Sequence, residues 1–401
     1  MRSDWLSTTW GEIATLEYGK ALRGYQSVRA PYRVYGTNGP VGWHTQPLCK
    51  IPGVVVGRKG AYRGIHYSRA PFFVIDTAFY LKPKVDLDSR WAYYQLLTAD
   101  INSMDSGSAI PSTSRDEFYK LPVKVPPRDE QAAIADILET LDDRIDLLRQ
   151  TNATLEAIAQ ALFKSWFIDF DPVRAKAEGR EPEGMDAATA ALFPSEFEES
   201  ELGAIPKGWR VGGVYDIADI IYGAPFASKQ FNSEGIGLAL VRIRDLKDEA
   251  PGVWTPEVHP KGYKLRPGDI VVGMDGEFRA HLWGGDEAWM NQRICVFKPI
   301  SGHCATFVRL AIAAPLAHVE ATETATTVIH LGKGDIDQFR IVVPPPTVAT
   351  AFTNVCQPLY DRIVSGKKTA RSLSEVRDTL LPRLISGKLR LPEAEEAFAT
   401  S

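Results

Sequence analysis

From Ile134 onward, apolar residues return at alternating four- and three-residue steps: Ile134, Leu138, Leu141, Ile145 and Leu148, then Leu155, Leu162 and Trp166. Asn152 and Ala159 occupy the two remaining positions of the stripe. A heptad held this long is the mark of a coiled-coil seam, so the pattern predicts a helix from about Asp129 to Trp166. At 1.5 Å per residue, about 38 residues make a rod of roughly 57 Å, which cannot bury its stripe against itself. A second stripe over 347–381 keeps the phase with Phe352, Cys356, Leu359, Ile363, Ala370, Leu373 and Leu380. It is less regular: Gly366 and Arg377 fall in or beside the seam, and Pro382 is expected to disturb or end the helix. Antiparallel pairing of the two helices would cover both stripes; pairing between two copies of the chain is the alternative. Asn152 in the seam either selects one register or is a tolerated polar residue near the helix surface.

Each helix follows a Pro-Pro break, at 126–127 and again at 344–346, and each break closes a globular stretch of short β-like runs. Gly53–Val56, Phe72–Ile75 and Ile270–Val272 are such runs, and Thr37-Asn38-Gly39 reads as a tight hairpin turn. The two stretches repeat one another. Trp5, Ile13, Ala14, Tyr18 and Gly19 recur 204 residues later as Trp209, Ile217, Ala218, Tyr222 and Gly223. Val55-Val56-Gly57, Gly60, Arg63 and Lys82-Pro83 recur after 216 as Val271-Val272-Gly273, Gly276, Arg279 and Lys298-Pro299. Val125-Pro126-Pro127 and Asp143-Arg144-Ile145 recur after 218 as Val343-Pro344-Pro345 and Asp361-Arg362-Ile363. Coincident turn residues in two unrelated domains are the competing explanation, but three sets in one order point to duplication. The expected class is α+β, with two pseudo-repeated α/β domains separated by two long helices packed as an antiparallel coiled coil. The expected divisions are a first globular domain (1–127), a first long helix (128–170), an acidic extended strap (171–205), a second globular domain (206–346), and a second long helix with a C-terminal tail (347–401).

Composition narrows the class without naming a function. At 44% hydrophobic and 24% charged residues, the chain is that of an ordinary folded protein. It has no apolar run long enough to span a membrane and no apolar signal core at its start, so a cytoplasmic protein is expected. Cys49, Cys295, Cys304 and Cys356 lack metal or disulfide spacing. The net charge of −4 is unevenly spread: +6 over 1–127, −11 over 128–206, −1 over 207–346 and +2 thereafter. Phosphate neutralisation supplies most non-specific DNA affinity, so a chain of this charge that reads DNA is expected to do so beside a basic partner.

The run Ser165-Trp166-Phe167-Ile168-Asp169-Phe170-Asp171-Pro172-Val173-Arg174-Ala175-Lys176 closely resembles the segment after the first helix in Type I restriction–modification specificity subunits. Glu201-Leu202-Gly203-Ala204-Ile205-Pro206-Lys207-Gly208-Trp209 is similar to the opening of their second recognition domain. Val125-Pro126-Pro127 with Glu130-Gln131 and Ile134 resembles the start of their helical spacer, and Leu381-Pro382-Arg383-Leu384-Ile385-Ser386-Gly387-Lys388-Leu389 their C-terminal end. The resemblance covers essentially the whole chain. It implies a non-catalytic subunit whose two target-recognition domains each read half of a bipartite double-stranded DNA site. The helices would set the gap and dock two adenine-N6 methyltransferase subunits using S-adenosylmethionine, and restriction–translocase subunits using ATP and Mg would complete the complex. One departure is that the second spacer begins Pro344-Pro345-Pro346-Thr347, without Glu-Gln, which bears on docking of the second methyltransferase.

Candidate DNA contacts then follow from chemistry. Arg58-Lys59-Gly60-Ala61-Tyr62-Arg63 is the densest basic loop; Arg58, Lys59 and Arg63 suit phosphates or guanine edges, and Tyr62 a sugar or base. A solvated hairpin is the bland reading. Asn38 either reads adenine or holds its turn. The equivalent loop of the second domain reads Met274-Asp275-Gly276-Glu277-Phe278-Arg279, where Asp275 or Glu277 suits cytosine N4 and Arg279 keeps its place. Arg242, Arg244 and Lys247 are phosphate candidates nearby; internal ion pairing is the bland reading. Neither a methyltransferase Asn/Asp-Pro-Pro-Tyr segment nor a phosphate-binding P-loop is present, and the seven histidines lack metal spacing. Competing readings are the recognition subunit of a smaller methyltransferase–nuclease system, a divergent nuclease and a coiled-coil adaptor.

Overall fold

The computed structural model describes residues 5–26, 29–104, 110–300, 302–322 and 329–389; the end of the expected C-terminal tail lies outside them. The chain is α+β and divides into two compact units, one formed by 1–145 with 372–401 and the other by 146–371. The long helices run Arg128–Phe167 and Pro346–Ile385, so each lends a stretch to each unit. Among the described residues no helix is long and apolar enough to cross a membrane, and all four cysteines are free and buried.

In unit 1 the main antiparallel sheet takes its strands in the order Ala14–Tyr18, Ala78–Pro83, Gly53–Gly57, Ile65–Ser68. The unbroken run Val54–Val56 is a central strand with every side chain buried, which is what such a run demands. A second sheet joins Gly39–His44, Tyr32–Gly36 and Phe72–Val74. Its first two strands meet at the hairpin turn expected at Thr37-Asn38-Gly39, where Gly39 has φ 107°, a region glycine enters freely. Leu6–Thr9 pairs with Pro122–Val125 and ties the start of the domain to its end.

Helix Ser89–Leu97 is capped by Asp88, whose carboxylate accepts from the backbone N–H of Arg90 and Trp91 and from Arg128 Nη1 at 2.8 Å. Burial works against ionising Asp88, yet Arg90 and the two N–H groups outweigh it and hold the carboxyl below the usual aspartate range. Gln131 is buried, accepting from Asp88 N and donating to Pro126 O, while Glu130 accepts from Trp5 Nε1. The Glu-Gln pair at the start of the first helix is therefore engaged inside unit 1.

Within unit 1 the first helix packs Leu138 and Leu141 against Leu380, Leu384 and Ile385 of the second. Arg377, an irregularity of the stripe, donates to Asp142 Oδ1 at 2.7 Å, while Tyr94 Oη donates to Asp142 Oδ2. Pro382 neither ends nor breaks its helix, contrary to the sequence expectation. In the last turn a proline forfeits only one main-chain hydrogen bond, and the burial of Leu384 and Ile385 carries the helix past it. The helix stops at Gly387, with φ 70°.

Unit 2 repeats this plan with one short strand more, Lys264–Leu265, in its second sheet. Its main sheet runs Ala218–Tyr222, Ile294–Pro299, Ile270–Gly273, Ala280–Leu282. The register Ala218↔Pro299 through Tyr222↔Cys295 is that of Ala14↔Pro83 through Tyr18↔Phe79. Arg210–Gly212 pairs with Ile341–Val343 as the first strand of unit 1 does with its last. Leu238–Val241 lies parallel to Ala288–Met290 as Tyr32–Gly36 lies parallel to Phe72–Val74. Gly19 and Gly223 serve the same close approach, since a Cβ on either would overlap the carbonyl of Ile75 or Asn291. The offsets of 204, 216 and 218 are thus offsets of structure.

The segment 171–205 is not an extended strap. It holds helices Asp171–Ala177 and Ala187–Ala191 and the hairpin Phe197–Ser200/Gly203–Pro206, and it buries Val173, Phe193 and Ile205 in the core of unit 2. Acidic composition suggested an extended chain, but widely spaced apolar anchors dock it. Phe170 makes the corner in the left-handed region (φ 55°, ψ 38°), at a cost of about 1–2 kcal/mol for a non-glycine residue. Its buried ring, against Phe197 and Trp209, offsets that cost.

In unit 2 the helices also run antiparallel: Asn152 lies beside Ile363 and Gly366, and Trp166 and Phe167 lie against Phe352. Asn152 is buried and its Nδ2 donates to Ile363 O at 3.2 Å; a Cβ on Gly366 would overlap its amide. The polar seam residue and the seam glycine are two halves of one contact. Gly366→Ala is expected to destabilise unit 2 by about 1–3 kcal/mol through overpacking, although alanine gains about 1 kcal/mol in helix propensity. Adding Asn152→Ala should recover most of the loss in a double-mutant cycle read by denaturant unfolding. Additive losses would remove the contact from register selection.

Candidate nucleic-acid interface

The loop after the central strand is held by the same main-chain bonds in both units. In unit 1, Arg58 N donates to Thr77 O, Gly60 N to Pro111 O, and Thr113 N to Arg58 O. In unit 2, Met274 N donates to Arg293 O, Gly276 N to Ile329 O, and Leu331 N to Met274 O. Lys59 bridges Ser112 where Asp275 bridges His330, and Gly60 and Gly276 both have positive φ. A turn covers each loop base: the Thr37 carbonyl approaches Gly57, and the side chains of Ile243 and Leu246 approach Gly273. The backbone is a common mount, and only its side chains differ.

In unit 1 the mount carries half-buried cations and exposed rings. Arg58 Nη1 donates to Asp76 O at 2.9 Å, and its guanidinium lies 4.7 Å from the Tyr18 ring centroid. Arg115 meets the same ring at 5.1 Å and donates from Nε to Tyr119 Oη at 3.2 Å. Two guanidiniums on one half-exposed ring make a fixed positive patch, and stacking leaves most of their N–H donors for another acceptor. Tyr62 is 80% exposed. The Asn38 amide, with its nitrogen toward carbonyls, donates to Thr37 O and to Tyr62 O at 2.7 Å, so it holds the turn to the loop. Lys59 is half-buried and makes no ion pair among the described residues.

Arg63 does not belong to this surface. It is 3% exposed, and its Nη2 donates to the carbonyls of Ile101, Asn102 and Met104 at 2.7–3.2 Å. Its partner in the repeat, Arg279, points the other way, half-exposed and paired with Glu320. The preceding residues exchange roles too, Tyr62 lying outside and Phe278 in the core at 1% exposed. An aromatic–arginine pair offers one apolar and one charged side chain, and each unit buries a different one.

Unit 2 presents a different set on the same mount. Met274 is buried where Arg58 is half-buried. Lys333, at the place of Arg115, pairs with Asp337 at 2.7 Å and lies over the Tyr215 ring. Asp275 is paired with His330 and Arg293, while Glu277 is exposed. Arg242 is committed to Asp245, whose carboxylate also accepts the Arg242 N–H and closes the turn. Arg244 and Lys247 of that turn are exposed, without ion pairs among the described residues. Tyr18, Arg115, Arg293, His330 and Lys333 escape a reading of the loops alone; carrying the repeat offsets across Thr77, Ser112 and Arg115 would have found the last three. Among the described residues no cluster of three or more His, Cys, Asp or Glu could hold a metal ion.

The model of the family described as the Type I restriction modification DNA specificity domain matches residues 51–157 and again 206–351. The chain is 27% identical over 341 residues to the Type I restriction enzyme HindI specificity subunit of Haemophilus influenzae, covering 70% of this chain and 71% of that protein. It is 26% identical over 328 residues to the MjaIX specificity subunit of Methanocaldococcus jannaschii, covering 78% and 71%. The crystal structure of a Type-I restriction-modification system S subunit from M. genitalium superposes with a TM-score of 0.63 over 96% of both chains at 16% identity, a likeness of fold.

Proposed function

The chain belongs to the Type I restriction modification DNA specificity family, and we propose that each of its units reads one half of a bipartite double-stranded DNA target. One observation supports this above the others: a main-chain mount that repeats three loop hydrogen bonds carries Arg58, Lys59 and Tyr62 in one unit and Met274, Asp275 and Phe278 in the other. A duplicated enzyme site would keep its side chains and let its frame drift. Two readers of unlike half-sites need a constant frame and changed side chains.

On this reading the helices set the gap between half-sites and offer surfaces to two methyltransferase subunits. The chemistry belongs to partners: S-adenosylmethionine on the methyltransferases, ATP and Mg on the restriction–translocase subunits. The acidic stretch 128–206 suits docking of basic partners, which would supply the phosphate affinity that this chain's net charge of −4 does not.

Co-expression with the neighbouring methyltransferase, followed by mapping of methylated adenines, should give a split motif with one fixed gap. An unsplit motif or no methylation would sink the reading; metal-dependent cleavage by the purified chain would instead favour a nuclease. In the assembled complex Arg58→Ala with Arg115→Ala should lower the slope of log affinity against log salt by about two, as expected for two lost phosphate contacts. An unchanged slope would remove the Tyr18 cluster from the interface.

A further inference from the structure

Asp275, Arg293 and His330 form a polar cluster on the unit 2 mount without a chemical counterpart in unit 1, where Lys59, Thr77 and Ser112 hold the same places. His330 Nδ1 lies 2.7 Å from Asp275 Oδ1, and Arg293 Nε lies 3.7 Å from Asp275 Oδ2. The Asp275, His330 and Arg293 side chains remain 29%, 45% and 55% exposed. At 2.7 Å from a carboxylate, Nδ1 is the donor, so it cannot also accept from Arg293 Nη1 at 3.4 Å. His330 Nε2 and the Arg293 guanidinium edge therefore keep hydrogen-bonding capacity to spare. Both carboxylate oxygens face N–H groups, of His330 and Arg293, which leaves Asp275 poorly placed to accept from cytosine, the role its sequence position suggested.

We propose that Asp275 orients Arg293 as the donor to the O6 and N7 of a guanine in the major groove, and sets His330, whose Nε2 is then an acceptor, toward an amino group of the same or the adjacent base pair, within the half-site of unit 2. The proposal rests on the reading that unit 2 contacts DNA. Arginine is the commonest partner of guanine O6/N7, and the neighbouring carboxylate fixes the imidazole by a hydrogen bond and draws the guanidinium by its charge before DNA arrives. A base reader set on a rigid turn discriminates; a phosphate contact only positions. The unit 1 equivalents, Lys59 with the small hydroxyls of Thr77 and Ser112, carry their one cation at the place of Asp275 and not of Arg293, so two units on one frame would select different bases.

The repeat supplies the variants for a test. His330→Ser and Arg293→Thr install residues that the same frame already carries in unit 1, which keeps the fold out of the comparison. Each would be assembled with the methyltransferase and bound to duplexes randomised in one half-site at a time. Arg293→Thr is expected to relax preference at one position of one half-site, discrimination there falling by about 5- to 150-fold, with the other half-site untouched. His330→Ser should relax the same position or its neighbour. Asp275→Asn, which keeps an acceptor for His330, should lose less than Asp275→Ala. Uniform weakening over all sequences, with a salt slope smaller by about one, would make the pair a phosphate clamp and overturn the proposal. Unchanged preference would overturn it as well. A wild-type complex without any split motif would fail earlier, and would count against the proposed function.

Discussion

Phe167→Ala is expected to lower the stability of unit 2 by about 3–5 kcal/mol, the usual cost of emptying a large aromatic site in a packed core. The ring is buried, with centroids 4.9 Å from Phe352, 5.0 Å from Phe307, 5.3 Å from Phe163 and 5.8 Å from Trp209. These partners come from both long helices, a helix of the globular part and the strand-entry segment, so no single neighbour can move in to fill the hole. Phe167→Leu keeps most of the apolar volume and should lose under about 1.5 kcal/mol. Amide exchange in Ile270–Gly273 and Ile294–Pro299 would report unit 2 by itself. A loss below about 1 kcal/mol for the alanine variant would mean that the aromatic cluster is not the keystone of that core. The motif from Ser165 to Lys176, the most specific family signature in the chain, is on this account a folding element.

Arg63→Met should destabilise unit 1 by roughly 3 kcal/mol or more while leaving the exposed surface of the loop chemically unchanged. The side chain is buried and its guanidinium donates to the carbonyls of Ile101, Asn102 and Met104; Ile101 O also accepts from Met104 N, and a buried carbonyl left short costs about 1–3 kcal/mol. Methionine fills similar space and supplies no donor. Tyr62→Ala, one residue away, removes an 80% exposed ring and should shift stability by under about 0.5 kcal/mol while weakening DNA binding in the assembled complex. Denaturant unfolding and duplex binding of the two variants therefore ought to dissociate. If Arg63→Met unfolded like wild type, or Tyr62→Ala alone unfolded early, the assignment of inner and outer residues in this loop would be reversed.

Much of the architecture is legible from periodicity alone. The heptad stripes locate both long helices to within a residue or two at their starts, because a seam that must be covered for five turns and more leaves few alternatives. The duplication is equally legible, since Gly19 and Gly223 must each let a carbonyl pass where any Cβ would collide. Two local rules misled. Pro382 does not end its helix, and 171–205 is not an extended strap, because burial of Leu384 and Ile385 in one case, and of Val173, Phe193 and Ile205 in the other, outweighs proline and acidic composition. Neither burial is visible until distant residues are brought together.

The candidate sites divide along the same line. Which loops face outward, and that their chemistry differs between the halves, follows from composition read against the repeat. Which side chain of each loop faces outward does not: Arg63 and Arg279 are the same residue at the same offset, yet one is sealed under three carbonyls and the other pairs with Glu320 at the surface. That choice depends on what lies beneath the loop. Unit 1 offers the converging carbonyls of Ile101, Asn102 and Met104 to a guanidinium, and unit 2 offers an apolar pocket that takes Phe278. Patterns along a chain dictate elements and their repetition, because those depend on near neighbours; the inward or outward sense of one side chain is settled by groups more than thirty residues away.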